Sequence, residues 1–78
     1  MTADEMFAEM GYVCEVKSRG HILYSKYIGG MRFTVDAWLD GRPGLAFCVQ
    51  KDGLNIPFCG GEILACAQAI KELEESNG

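Results

Sequence analysis

The stretch His21-Ile22-Leu23-Tyr24-Ser25-Lys26-Tyr27-Ile28-Gly29-Gly30-Met31-Arg32-Phe33-Thr34-Val35-Asp36-Ala37-Trp38-Leu39 decides the architecture. Aromatic and β-branched residues alternate with polar ones on both sides of a Gly-Gly pair, the pattern of two half-buried strands joined by a tight turn. A two-residue type I′ turn at Gly29-Gly30 matches the natural twist of the strands it joins. It sets Ile28 opposite Met31, Lys26 opposite Phe33, Tyr24 opposite Val35 and Ile22 opposite Ala37, so one face of the hairpin is mostly apolar.

Working outward, a three-residue loop at Ser18-Arg19-Gly20 predicts a preceding strand over 12–17, with Val16 opposite Ile22 and Cys14 opposite Tyr24. A two-residue loop would instead turn Glu15 and Lys17 toward the apolar face. On the other side, the turn formers Asp40-Gly41-Arg42-Pro43-Gly44 predict a fourth strand over 45–50 that brings Leu45 to Leu39, Phe47 to Ala37 and Val49 to Val35. Pro57 favours an extended conformation through 54–58. At the start of the chain, Thr2-Ala3-Asp4-Glu5 has the spacing of a capping box and Gly11 the freedom to end a helix, which predicts a short helix over 3–10. At the end, Ile63, Cys66, Ala67, Ile70 and Leu73 recur at helical spacing, the stripe of an amphipathic helix lying on a sheet. The expected fold is α+β, one domain over residues 1–78: a short helix, a four-stranded antiparallel meander and a long helix packed on one sheet face.

The composition narrows the function. The chain has 78 residues, is 49% hydrophobic and carries a net charge of −4. Negative charge gathers at the ends, with Asp4, Glu5 and Glu9 in the first helix and Glu62, Glu72, Glu74 and Glu75 in the last. Nucleic-acid binders draw affinity from clustered Lys and Arg, and no such cluster is present. No apolar run approaches the ~20 residues of a membrane span. The N-terminus is acidic where a secretory signal is basic, so a cytoplasmic location is expected. Cys14, Cys48, Cys59 and Cys66 form no C-x-x-C pair, and with one histidine they predict free thiols; no metal or other cofactor is expected.

Catalytic motifs are missing too: no P-loop, no G-x-S-x-G and no H-E-x-x-H occurs, and a nonenzymatic protein is expected with no catalytic residue assigned. Cys59-Gly60-Gly61 heads the last helix, where exposed amides at Gly60 and Gly61 can hold an anion and the dipole can activate a thiol. The other reading is a tight strand-to-helix turn with Cys59 packed beneath it. More informative is the second face of the sheet, where Trp38 falls beside His21 with Leu23, Tyr27 and Arg32 nearby, side chains of the kinds that anchor interfaces. Either the first helix, through Met6, Phe7 and Met10, folds over this face, or the face is open to a partner.

The segments Met6-Phe7-Ala8-Glu9-Met10-Gly11-Tyr12, Tyr24-x-Lys26 and Glu62-Ile63 through Ala69-Ile70-Lys71-Glu72-Leu73 resemble small proteins encoded in bacteriophages and prophages of Gram-positive bacteria. That resemblance implies a small α+β fold and a role in phage and host biology, without a defined activity. The leading expectation is an interaction module that uses the Trp38 face, its partner being a second copy of the chain or another protein. Two alternatives stand beside it: an acidic inhibitor of a host nucleic-acid enzyme, and a small-ligand or anion binder at Cys59-Gly60-Gly61.

Overall fold

The computed structural model describes residues 1–18, 20–39, 47–52 and 58–77. Thr2 opens helix α1 (Ala3–Glu9) with a complete capping box: its hydroxyl accepts from the Glu5 amide at 3.2 Å, and the Thr2 amide donates to Glu5 Oε1 at 2.8 Å. Each bond satisfies a donor that a helix start leaves without an intrahelical partner. Gly11, at φ +89°, turns the chain out of α1 and into β1 (Val13–Lys17).

Strands β2 (His21–Ile28), β3 (Met31–Leu39) and β4 (Phe47–Lys51) complete a four-stranded sheet in the order β1-β2-β3-β4, all neighbours antiparallel. Helix α2 (Gly60–Asn77) follows. The layout is the expected α-β-β-β-β-α. Gly29 and Gly30 sit at φ +58° and +81°, the double left-handed turn that type I′ requires, and the β2–β3 register is the one the Gly-Gly turn predicts. Beyond Ser25 on β2 and Val35 on β3, neither outer strand pairs further. The hairpin therefore projects as a two-stranded ribbon ending in exposed Tyr27, Ile28 and Met31.

The outer pairings differ from expectation in two ways. Cys14 does meet Tyr24, but a bulge at Glu15 shifts the register so that Val16 faces Leu23 and Lys17 faces Ile22. Ser18 N–H donates to His21 O at 2.8 Å, which closes a loop one residue shorter than expected. A bulge puts two residues opposite one, so the strand keeps Cys14 on the apolar side and still turns Lys17 inward. There Lys17 meets Asp4 of α1 at 2.6 Å. In β4, Phe47 lies opposite Leu39 and Val49 opposite Ala37, two residues along from the expected pairing, with the same alternation of faces. The expected third turn at 40–44 and most of the extended 54–58 segment fall outside the described residues.

Both helices lie on the same side of the sheet. Phe7 of α1 stacks on Tyr24 with ring centroids 4.0 Å apart and meets Tyr12 edge-on at 5.5 Å. Phe7, Tyr12, Ile22, Tyr24, Val35 and Ala65 form the buried cluster. Helix α2 is rotated relative to the predicted stripe. Glu62, Ala65, Ala69 and Leu73 are its buried residues, whereas Ile63 and Ala67 are exposed and Cys66 and Ile70 half-buried. Small alanines let α2 approach, and Gly61 lets Met10 come close: a Cβ there would stand 3.0 Å from the Met10 sulfur.

Candidate functional site

Because α1 and α2 share one side, neither helix covers Trp38. The alternative in which α1 shields the second face is thereby set aside, since Phe7 is bound to Tyr24 on the opposite side. Among the described residues, the uncovered face is a field of side chains held by one another. Trp38 stands between His21 on β2 and Cys48 on β4 in the strand pairing. The imidazole and indole rings are T-shaped with centroids 5.8 Å apart, and His21 Nε2 lies 2.9 Å from Asp36 Oδ1. Leu23 is flanked by Val16 and Asp36, and Ser25, fully buried, by Val13 and Thr34. Arg32 opposes Tyr27 and forms an ion pair with Glu15.

On this face Arg32 is paired with Glu15, and His21 is bonded to Asp36, beside an apolar strip of Val13, Val16, Leu23 and Trp38. Exposed pairs of this kind add little stability but fix side-chain positions. The structure brings together the predicted His21, Leu23 and Trp38; it places Tyr27 and Arg32 farther along, on the projecting ribbon. Val16 belongs to the same strip, opposite Leu23, whereas the three-residue loop predicts it opposite Ile22 on the other face. A bulge formed without glycine leaves no residue signature that would have revealed this.

At the start of α2, Glu62 reaches back to the preceding turn. Glu62 is 2% exposed, and its Oε1 accepts from the Cys59 amide at 2.9 Å and from Lys51 Nζ at 2.6 Å, while Oε2 accepts from the Tyr12 hydroxyl. Burial alone would raise the Glu62 pKa; the bonds from Lys51, Tyr12 and Cys59 outweigh it and hold it at about 2. The amide that Glu62 engages is that of Cys59, one residue before the Gly60 and Gly61 amides at which an anion is expected. The cluster escaped the sequence reading, although Cys59-x-x-Glu62 repeats the spacing by which Glu5 reaches back to Thr2.

Burial, with the Glu62 charge, pushes Cys66 up to about 11. Cys59 is exposed at the start of α2 rather than packed beneath it, and Cys14 is exposed on the edge strand. Cys59 lies in the helix layer, whereas His21 is engaged with Asp36 on the far side of the sheet, so the two do not form a nucleophile and base. Among the described residues, no group of three or more His, Cys, Asp or Glu side chains is arranged to hold a metal ion, and no helix is long and apolar enough to cross a membrane. No family model, curated protein or solved structure matches the chain.

Proposed function

We propose that the protein is a nonenzymatic interaction module that works through the open sheet face around Trp38, with a second copy of the chain as partner. The observation that carries this reading is the placement of both helices on one side, which leaves Trp38, Leu23, Val16 and Tyr27 without a helix over them. Four strands spaced by ~4.8 Å, each with about six residues at ~3.3 Å, make a face roughly 20 Å square. With side-chain relief counted, that lies below the ~800 Å² per partner of a standard interface, the size of a weak dimer. A two-fold axis lets the same strip meet its copy. Face-to-face packing is favoured over edge pairing, because the exposed edge strand β1 is interrupted by its bulge.

Sedimentation or light scattering across a concentration series tests the reading. The parent should approach twice the chain mass at high concentration and dissociate on dilution, and Trp38→Ser should remain monomeric with an unchanged far-ultraviolet spectrum. A parent that stays monomeric throughout overturns the dimer.

A second reading is favoured by a different observation. The contact of α1 with α2 through the Ala3 amide and Glu72, 2.7 Å apart, draws the two acidic ends of the chain into one layer. Glu5, Glu9, Glu74 and Glu75 are all exposed there. Such a surface suits a basic site on a nucleic-acid enzyme, the inhibitor that the phage resemblance implies. Binding of this kind would weaken steeply with added salt, whereas dimerisation through the apolar strip would not.

A further inference from the structure

We propose that the free end of the β2–β3 ribbon is a membrane-surface anchor, with Tyr27, Ile28 and Met31 immersed in a lipid bilayer that carries anionic headgroups. The site lies at the opposite end of β3 from Trp38 and stands independently of the interaction reading.

Tyr27, Ile28 and Met31 are 65%, 57% and 64% exposed, and they adjoin one another at the Gly29-Gly30 turn, so the exposure is a contiguous apolar patch rather than scattered residues. Ile28 lies opposite Met31, and both fall on the helix-layer side of the ribbon, whereas Tyr27 falls on the Trp38 side. The tip is thus apolar on both sides at once. Docking against another sheet or helix would cover one side, while immersion covers both. The patch is also small for a protein partner: three side chains on two strands ~4.8 Å apart, against the roughly 20–30 residues per side of a standard interface.

Charge sets the kind of bilayer and the orientation on it. Over 26–33 the ribbon carries Lys26 and Arg32 and no acidic residue. Lys26 precedes Tyr27 on the helix-layer side, its ammonium 4.4 Å from the centroid of the Tyr12 ring, and Arg32 follows Met31 on the other side and reaches back to Glu15. Both cations therefore stand at the base of the tip and leave its end uncovered. Immersion by the ~5–10 Å typical of interfacial segments places them among headgroups and Tyr27 at the polar boundary, where tyrosines gather. At the other end of β2, Asp4 and Glu72 stand beside Lys17, and α2 runs on through the exposed Glu74 and Glu75. Ile22 and Ile28 are ~20 Å apart along β2 at ~3.3 Å per residue, about twice the Debye length at physiological salt. A chain of net charge −4 that stands on its tip thus keeps that acidic end away from an anionic surface.

The full chain is to be mixed with vesicles of phosphatidylcholine, alone or with about 30% phosphatidylserine, at lipid concentrations up to the order of 1 mM, and the bound fraction read by sedimentation. The parent should bind, and more tightly to the anionic vesicles. Ile28→Ser combined with Met31→Ser should weaken binding at least about tenfold, and Lys26→Gln about fivefold on the anionic vesicles alone. Trp38→Ser should bind as the parent does. With brominated acyl chains, the indole emission of Ile28→Trp in a Trp38→Phe chain should be quenched, and that of Trp38 in the parent should not. The proposal is overturned by a parent that does not sediment with the vesicles, by equal binding to neutral and anionic vesicles, by a doubly substituted tip that binds like the parent, by quenching of Trp38, or by loss of binding in Trp38→Ser.

Discussion

A carboxylate as deeply buried as Glu62 keeps its charge only because Lys51, Tyr12 and the Cys59 amide converge on it. With its pKa held at about 2 against the ordinary 4.5, the charged form contributes stability that is complete above pH ~4.5 and is lost as the pH falls from there toward 2. The shift corresponds to ~3 kcal/mol, a large share of a small domain's stability. The urea midpoint should therefore drop markedly between pH 6 and pH 3, and Glu62→Gln should be less stable at pH 6 but lose less on acidification. Equal acid sensitivity of parent and variant would show that Glu62 is not the group responsible. Phe7, 1% exposed between Tyr12 and Tyr24, carries the apolar counterpart of this contact. Truncation in Phe7→Ala should cost ~3–5 kcal/mol. A thermal melt that moves by only a degree or two would mean that α1 contributes little to the core.

Among the elements, the β2–β3 hairpin was fully legible, since two glycines and strict alternation leave one register that keeps the apolar residues together. Gly30 at φ +81° makes this testable: Gly30→Ala should cost ~1 kcal/mol, whereas Gly29→Asn, at φ +58°, should change the melting temperature little. Comparable losses from both would argue against a type I′ turn. The capping box of α1 was legible for the same reason, its bonds being local. Elsewhere the sequence underdetermined the answer. The turn before β4 admits pairings two residues apart that bury the same face, so alternation cannot choose between them. The rotation of α2 was hidden because apolar periodicity gives weight to Ile63 and none to Glu62, whose partners Tyr12 and Lys51 come from distant parts of the chain. The Trp38 surface could be read from strand parity, but its Val16 border depends on a backbone bulge.

For the whole molecule, the central strands should be the most persistent part. Amides of 22–25 and 35–37 lie in strands paired on both sides and beneath the core cluster, whereas those of 27–32 lie on the projecting ribbon. Hydrogen exchange should be slowest in the first group and fast in the second, approaching the rate of global unfolding only at the centre. Uniform protection along the hairpin would imply that the ribbon is covered in solution. The bond from the Ala3 amide to Glu72 has a consequence of another kind. It joins residues 69 positions apart, so it closes almost the longest loop the chain can form, after shorter-range hairpins have already gained their contacts. During synthesis α1 leaves the ribosome before α2, and it has no α2 to dock against until that helix has been made. Helix α1 thus completes its contacts long after it emerges, and in that interval Met6 and the α2-facing part of Phe7 meet whatever chaperones attend the nascent chain.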